Sequence, residues 1–473
     1  IGSSSGSAAA PSLRLPPRPA TRGSSASSSA VATTKGARRR TTSRGEPSNA
    51  PQPPQPQPPS PSSARDKAYT FITGFPFPLG PVFKRDTIRR EIEKDTIWVF
   101  DQTQALEDFY VYTPVRMTVI KLKSGGLWVH APVAPTAECV RLVKELGCPV
   151  EYIVLPTFAY EHKVFVGPFS RAFPEAEVYV TPYQWSFPLN LPPQFFGIKP
   201  SGELSATEAG MPWADEIGQR LLVPPSIGIA DNVRQSECAF FHRRSRTLVV
   251  TDAVVELNDD VPEIIPVKAL LESARDSWLN RFRAGGRSAR EVKEIARPEP
   301  AEDTLENRIR GYRRMSLLVL YFNPSDLLCP DPSWEAISDR LICAPVVETL
   351  VFSKFKPSVR RWVDSIVSDW AFTRVIPAHF AAPVKAGPAD FKAAFAFAYE
   401  DAEDADGAEN VATPAAQGGV AGLFGRLFGG TGKATAAGAV PRRVVEFPEK
   451  DIATLRNLNS LLLKTGLVKS VDK

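Results

Sequence analysis

The sequence lacks the features of disulfide-stapled, zinc-finger and membrane-spanning proteins. Only five of its 473 residues are cysteines, and these form no Cys-x-x-Cys pair and stand at no ligand spacing from a histidine. We therefore expect free thiols in a reducing compartment. The longest apolar stretch, residues 315–322, is far shorter than the roughly 20 residues that cross a bilayer. This predicts a soluble chain without a membrane span.

Three motifs of common enzyme classes are also missing from the chain beyond residue 65. It contains no G-x-S-x-G nucleophile elbow, no phosphate-binding P-loop and no G-x-G-x-x-G dinucleotide loop. Each motif supplies an exposed nucleophile or a backbone that approaches phosphate closely. Their absence therefore disfavours serine α/β-hydrolases, P-loop NTPases and Rossmann dehydrogenases.

The net positive charge of the chain comes from its first 65 residues. Residues 1–65 hold nine basic residues, one acidic residue and 12 of the 45 prolines, for a net charge of +8, whereas the remainder has a net charge of −3. The basic balance therefore predicts no nucleic-acid partner for the folded part. A leader rich in Ser, Arg and Pro and poor in acids is typical of a chloroplast transit peptide, which implies the stroma. A disordered interaction arm is the alternative.

Composition divides the chain into four predicted segments. We expect a disordered transit peptide and Pro-rich linker over residues 1–67 and a folded domain over residues 68–400. Residues 401–441 are first acidic and then rich in Gly and Ala, which predicts a disordered insertion. Residues 442–473 are expected to form a C-terminal helix that packs on the domain.

Hydrophobic patterning in the folded part predicts a layered α/β domain. Residues 116–122 and 127–130 alternate around a Gly-containing turn, as a hairpin does, and Thr136 is placed to cap a following helix. A charged stretch, residues 86–94, is expected to be a short exposed helix. A buried helix is predicted over residues 164–173.

Three apolar runs in this domain are predicted strands that lead into polar residues. The runs and the polar residues after them are 152–155 with Glu161 and His162, 247–251 with Asp252, and 374–378 with His379. In an open α/β sheet, ligands bind at the carboxyl ends of the strands. The four side chains are therefore candidates for metal ligation or acid–base chemistry.

Several segments from Trp98 to Tyr399 resemble a family of plant, algal and bacterial proteins that carry a domain of unknown function. The matching segments are RMTVIKLKSGGLWVHAPVAPT, YIVLPT, EHKVFVGPFSRAFP, QWSFPLNLP, FFHRRSRTLVVTD and RVIPAHF. That family is related to the metallo-β-lactamase fold. The resemblance implies a four-layer αβ/βα sandwich, with two mixed sheets inside and helices outside.

The resemblance also implies where metal ligands would lie and which are missing. The metal motif of the larger superfamily, His-x-His-x-Asp-His, falls on Thr157, Ala159, Glu161 and His162. Two histidines of that motif are therefore absent, and a glutamate replaces the aspartate. The dinuclear site is accordingly degenerate by this comparison.

The remaining matches point to a single-metal site. The bridging aspartate of the superfamily matches Asp252 and its final histidine matches His379, whereas His242 lies too close to Asp252 and is expected to bond turn backbone. One zinc, iron or manganese ion would suit the resulting ligands. The candidate metal ligands are Glu161, His162, Asp252 and His379.

Two functions remain open at this point. The first is a non-catalytic binding module for a small molecule or a plastid protein, which needs no cofactor. The second is a mononuclear metal-dependent hydrolase of an ester or phosphoester. Each of the four side chains also has an ordinary structural explanation. Glu161 at a helix start favours the helix dipole, for example, and a buried imidazole often bonds backbone.

Overall fold

The computed structural model describes residues 63–69, 84–106, 111–184, 191–228, 234–282, 286–322, 324–400, 441, 445–469 and 471. The predicted transit peptide and insertion lie almost entirely outside these residues. Their boundaries therefore stay predictions.

The first sheet has seven strands in sequential order and is mixed. Its first four strands pair antiparallel, and the fourth to seventh pair parallel. An α-helix lies in each of the first two connections between the parallel strands. The strands are β1 (Ile88–Glu93), β2 (Ile97–Leu106), β3 (Val111–Lys121), β4 (Leu127–His130), β5 (Val150–Leu155), β6 (Glu177–Val180) and β7 (Gly202–Glu203).

The second sheet has four strands and is also mixed. Its strand order is β13-β10-β9-β8, with β10 and β13 parallel and the other pairs antiparallel. A separate antiparallel pair joins β11 to β12. These strands are β8 (Ile217–Leu222), β9 (Glu237–His242), β10 (Thr247–Val249), β11 (Val255–Glu256), β12 (Leu341–Ile342) and β13 (Arg374–Ile376).

Eleven helices are present among the described residues, together with three short 3-10 helices. The α-helices are α1 (Ala137–Lys144), α2 (Tyr160–Ala172), α3 (Val267–Ala274), α4 (Trp278–Phe282), α5 (Ala289–Ile295), α6 (Leu305–Tyr321), α7 (Asp331–Glu335), α8 (Pro345–Leu350), α9 (Lys356–Asp369), α10 (Pro388–Ala394) and α11 (Glu449–Lys464). The 3-10 helices are Pro193–Phe196, Phe352–Lys354 and Ala396–Ala398. None of the described helices is long and apolar enough to cross a membrane.

The two sheets pack face to face with helices outside, which confirms the predicted four-layer sandwich. Between the sheets, the ring of Trp128 on β4 lies 4.9 Å from that of Phe240 on β9, within one buried cluster that draws on both sheets. The other face of the first sheet packs on α1 and α2, where Phe169 is fully buried. The other face of the second sheet packs on α9 and α10 through Trp362 and Phe391. Side chains therefore fill both faces of each sheet.

A further helical layer was not predicted. Helices α3, α6, α8 and α11 share a separate buried cluster around Tyr312 and Met315. Gly311 on α6 permits the close packing, because a Cβ there would lie 2.0 Å from the Leu270 carbonyl oxygen of α3. Arg314 and Asp276 form a fully buried ion pair in the same layer.

Two local predictions are wrong. Residues 86–94 contain strand β1 instead of a helix, because Ile88–Glu93 pairs antiparallel with β2 at the edge of the sheet. The predicted helix over 164–173 begins earlier, at Tyr160. Glu161 and His162 therefore lie in its first turn and not in a preceding loop.

Candidate metal centre

The second sheet places two of the predicted ligands side by side. Strands β10 and β13 are parallel, with Val249 opposite Ile376. Asp252 and His379 each follow three residues after that pair, so the register brings both to the same sheet edge. The Ala378 N–H donates to the Thr251 carbonyl (3.3 Å) and keeps the two chain segments together beyond the strands.

The first sheet brings the other two ligands to the same edge. After β5, the chain pairs with the start of β9. The Cys238 N–H donates to the Pro156 carbonyl (2.8 Å), and the Phe158 N–H donates to the Ser236 carbonyl (3.3 Å). This link between the two sheets fixes the start of α2, whose first turn carries the remaining two ligands.

The four predicted side chains converge. One ligand atom from each of Glu161, His162, Asp252 and His379 lies within 4.8 Å of the other three. The Oδ1 atom of Asp252 lies 3.1 Å from Nε2 of His379 and 3.7 Å from Nε2 of His162. Two imidazoles and two carboxylates at this spacing form a donor set that zinc, iron and manganese accept.

His379 is held in an orientation suited to ligation. Its Nδ1 lies 2.8 Å from the Pro114 carbonyl oxygen of β3. Since a carbonyl only accepts, Nδ1 must carry the proton, and Nε2 faces the cluster. A backbone carbonyl behind the imidazole is the usual support of a metal-bound histidine.

Buried Arg116 of β3 supports the segment on both sides of His379. Its guanidinium donates to the carbonyls of Pro377 (2.8 Å) and Phe380 (2.9 Å) and lies 2.7 Å from the Asp101 carboxylate. Both charged groups are almost fully buried. No local pattern in the sequence indicates this role, because Arg116 and its carbonyl partners are more than 260 residues apart.

His162 is the observation that fits an ion most directly. Its side chain is fully buried, and neither ring nitrogen has a hydrogen-bond partner among the described residues. A buried imidazole without a partner is unfavourable unless another group bonds it. A cation between His162 and Asp252 would bond a nitrogen that otherwise has no partner.

Electrostatics within the cluster oppose the effect of burial. Burial would raise the pKa of Asp252, but the imidazoles of His162 and His379 outweigh burial and lower it. Burial would likewise lower the pKa of His379, but the Asp252 carboxylate outweighs it and raises that pKa. Asp252 is therefore held as a carboxylate, which is the form that binds a cation.

The other two histidines of the chain lie outside this cluster. His130 is buried at the end of β4 with its ring stacked on Trp128, and burial lowers its pKa to about 3. His242 bonds the turn through its Nδ1, which lies 2.7 Å from the Ser245 hydroxyl. The expected turn contact of His242 is therefore made to a side chain and not to backbone.

Glu237 is a functional candidate that the sequence analysis missed. This buried glutamate opens β9 and accepts hydrogen bonds from the backbone N–H (3.0 Å) and the hydroxyl of Thr251, next to Asp252. Burial, together with the charge of Asp252, raises the pKa of Glu237 to about 8. The only signal in the sequence is an acid directly before the apolar residues of the run Glu237–His242.

A large cavity opens onto the cluster. Its volume is about 770 Å³, and Glu161, Asp252, His379 and Glu237 are among the residues that line it. Its size lies within the range of small-molecule sites in proteins. Three of the four candidate ligands, Glu161, Asp252 and His379, are therefore accessible to a small molecule in the cavity.

Two solved structures match this chain at low identity. A metallo-β-lactamase from Pontibacter korlensis is 9% identical, with a TM-score of 0.33, and the match covers 67% of this chain and 100% of that one. The metal-soaked Flv1 flavodiiron core from Synechocystis sp. PCC6803 is 8% identical, with a TM-score of 0.36, and the match covers 66% of this chain and 61% of that one. At these identities and TM-scores, neither match supports a conclusion about the function of this chain. No match was found among curated protein sequences.

A family match covers most of the described fold. Residues 94–332 and 330–397 match the family described as Domain of unknown function (DUF4336). The predicted relation to a family of unknown function is thereby confirmed. Since these residues make up more than half of the chain, the protein belongs to the family Domain of unknown function (DUF4336).

Proposed function

We propose that the chain binds one divalent transition-metal ion at the cluster of Glu161, His162, Asp252 and His379 and uses the site to bind a small molecule. The observation that carries the proposal is the convergence of four ligand atoms within 4.8 Å of one another, in a cluster of which three residues line a cavity. One ion is favoured over two, because Thr157 and Ala159 stand where the superfamily pattern has its first histidines. In this respect the site is a degenerate form of a dinuclear centre.

Each residue has a distinct part in this proposal. His379 offers Nε2 while the Pro114 carbonyl holds its Nδ1 proton. Asp252 stays ionised between the two imidazoles, and Glu161 adds a second carboxylate from the first turn of α2. When bound, such an ion acts as a Lewis acid toward an oxygen of the bound molecule.

Thermal unfolding of the full chain with added zinc or manganese tests this proposal. We expect the melting temperature to rise with metal concentration for the wild type and for His242→Ala, whose imidazole lies outside the cluster. His379→Ala should lose most of this response, because it removes one ligand. An equal response of wild type and His379→Ala would refute the site.

A metal-dependent hydrolase is the second candidate. It is favoured by Glu237, a carboxyl group that lines the same cavity beside Asp252 without belonging to the four candidate ligands. A group in this position can hold or pass a proton during hydrolysis of an ester or phosphoester. Metal-dependent release of p-nitrophenol from acyl esters or from p-nitrophenyl phosphate, with loss of turnover in Glu237→Gln, would support hydrolysis. Metal binding without turnover would leave a binding module.

We also propose that the protein acts in the chloroplast stroma. The support is the composition of residues 1–65, with nine basic residues and one acidic residue. A fusion of residues 1–67 to a fluorescent protein should enter chloroplasts. Cytosolic fluorescence would contradict this assignment.

A further inference from the structure

The cavity beside the candidate metal centre has both polar and apolar lining. Three residues of the cluster, Glu161, Asp252 and His379, line it together with Glu237. Apolar lining comes from the last turn of α6, through Leu318 and Val319, and from α8, through Val347. Phe322, just after α6, also lines the cavity and is 46% exposed. A cavity with both kinds of lining suits a molecule that has a polar head and an apolar body.

The charges of the lining restrict the polar head of such a molecule. No lysine or arginine is among the described residues that line the cavity, whereas Glu161, Glu237 and Asp252 are acidic. A phosphate or another multiply charged anion would meet no cationic side chain among these lining residues and would depend on the bound ion alone. A single divalent ion can still accept a neutral carbonyl oxygen or one carboxylate.

We propose that this cavity binds the acyl chain of a fatty acid or of its neutral ester. The carbonyl or carboxylate head lies at the four-residue cluster, and the chain lies along α6 and α8. The position of the head rests on the proposed metal function, whereas the position of the acyl chain depends only on the apolar lining of the cavity. The same chemistry could come from a free fatty acid or from an ester, and the two are separated by experiment.

Chain length gives the most direct signature of apolar walls. Each methylene that leaves water lowers Kd by about fourfold, until the chain fills the cavity. The measurement is displacement of a fluorescent fatty acid from the full protein, with and without zinc. Fatty acids from octanoate to palmitate are compared with their methyl esters and with hexadecyl phosphate.

A matched pair of variants tests where the acyl chain lies. Leu318→Trp places bulk inside the cavity and should raise the Kd for palmitate by roughly tenfold or more, because the chain loses space. Leu461→Trp makes the same change on α11, at an exposed leucine that does not line the cavity, and should bind like the wild type. Val347→Trp replaces Leu318→Trp if the latter fails to fold.

The outcomes separate this inference from the metal proposal. Affinity that rises with chain length, is lowered by Leu318→Trp and exceeds that for hexadecyl phosphate supports the acyl site. If the methyl esters bind more tightly than the free acids, the ligand is an ester. If the free acids bind more tightly, the ligand is a fatty acid. Equal affinity for octanoate and palmitate, or unchanged binding in both lining variants, overturns the acyl site even if zinc binds. If the Kd depends on acyl-chain length but zinc does not change it, the acyl-chain site is supported and the placement of the head at the metal is overturned.

Discussion

Replacing Arg116 with lysine tests how β3 holds His379 in the cluster. The guanidinium of Arg116 donates to the carbonyls of Pro377 and Phe380, on either side of His379, and also lies against buried Asp101. Lysine keeps the charge but has no planar fork, so it cannot reach both carbonyls and the carboxylate together. Hydrogen bonds from a charged donor contribute about 1.5–3 kcal/mol each. We therefore expect the free energy of unfolding, measured in urea with a chelator present, to fall by about 2–4 kcal/mol.

The same substitution should weaken metal binding. Loss of a group that orients a ligand typically lowers metal affinity by about 10–100-fold. At a free metal concentration about 100 times the wild-type Kd, the ion adds about 2.7 kcal/mol to the wild type. A tenfold weaker site would gain only about 1.4 kcal/mol, and a hundredfold weaker site about 0.4 kcal/mol.

Arg314 provides the control, since it is equally buried, pairs with Asp276 and donates to the carbonyls of Ser273 and Arg275. None of these residues belongs to the cluster or lines its cavity. Arg314→Lys should lose a similar amount of stability but keep the full gain from metal. The assay is urea unfolding of both variants at several zinc concentrations. An equal gain from metal in Arg116→Lys and Arg314→Lys would refute the argument that Arg116 positions His379.

Two further predictions concern other parts of the fold. Burial, reinforced by Arg244, lowers the pKa of His242 to about 4, so the unfolded chain gains a proton before the folded one as the pH falls. Between about pH 6.5 and about pH 4, the free energy of unfolding of the wild type should therefore fall by about 3 kcal/mol more than that of His242→Gln. Urea unfolding of both proteins across this pH range measures the difference. Gly311→Ala should lower the free energy of unfolding by about 1–3 kcal/mol, because its Cβ would meet the Leu270 carbonyl oxygen at 2.0 Å. Gly387→Ala, where a Cβ has ordinary contacts, should change it far less in the same assay.

Much of the site could be predicted because its strands carry local signals. The apolar runs before Asp252 and His379 are short, rich in β-branched residues and end at polar residues. A parallel pairing then brings both residues to one edge, which the observed register confirms. The convergence of all four candidate ligands follows from these strand ends and from the start of α2.

The remaining features depend on contacts that leave no local pattern. Strand β1 has the charged sequence Ile88–Glu93, and only its pairing with β2 determines that it is extended. Glu237 is the one acid in its strand, and its position beside Thr251 and Asp252 depends on the antiparallel pairing of β9 with β10 within the second sheet. Arg116 acts through residues more than 260 positions away. The apolar wall of the cavity likewise requires α6 and α8 to pack beside the sandwich.

The metal content of the purified chain tests the central claim most directly. The full chain would be purified without chelator or histidine tag, analysed by inductively coupled plasma mass spectrometry and compared with a His162→Ala, His379→Ala double variant. We expect about one equivalent of zinc, iron or manganese in the wild type and none in the double variant. A wild-type chain without stoichiometric metal, whose melting curve does not change when zinc is added, would contradict the account.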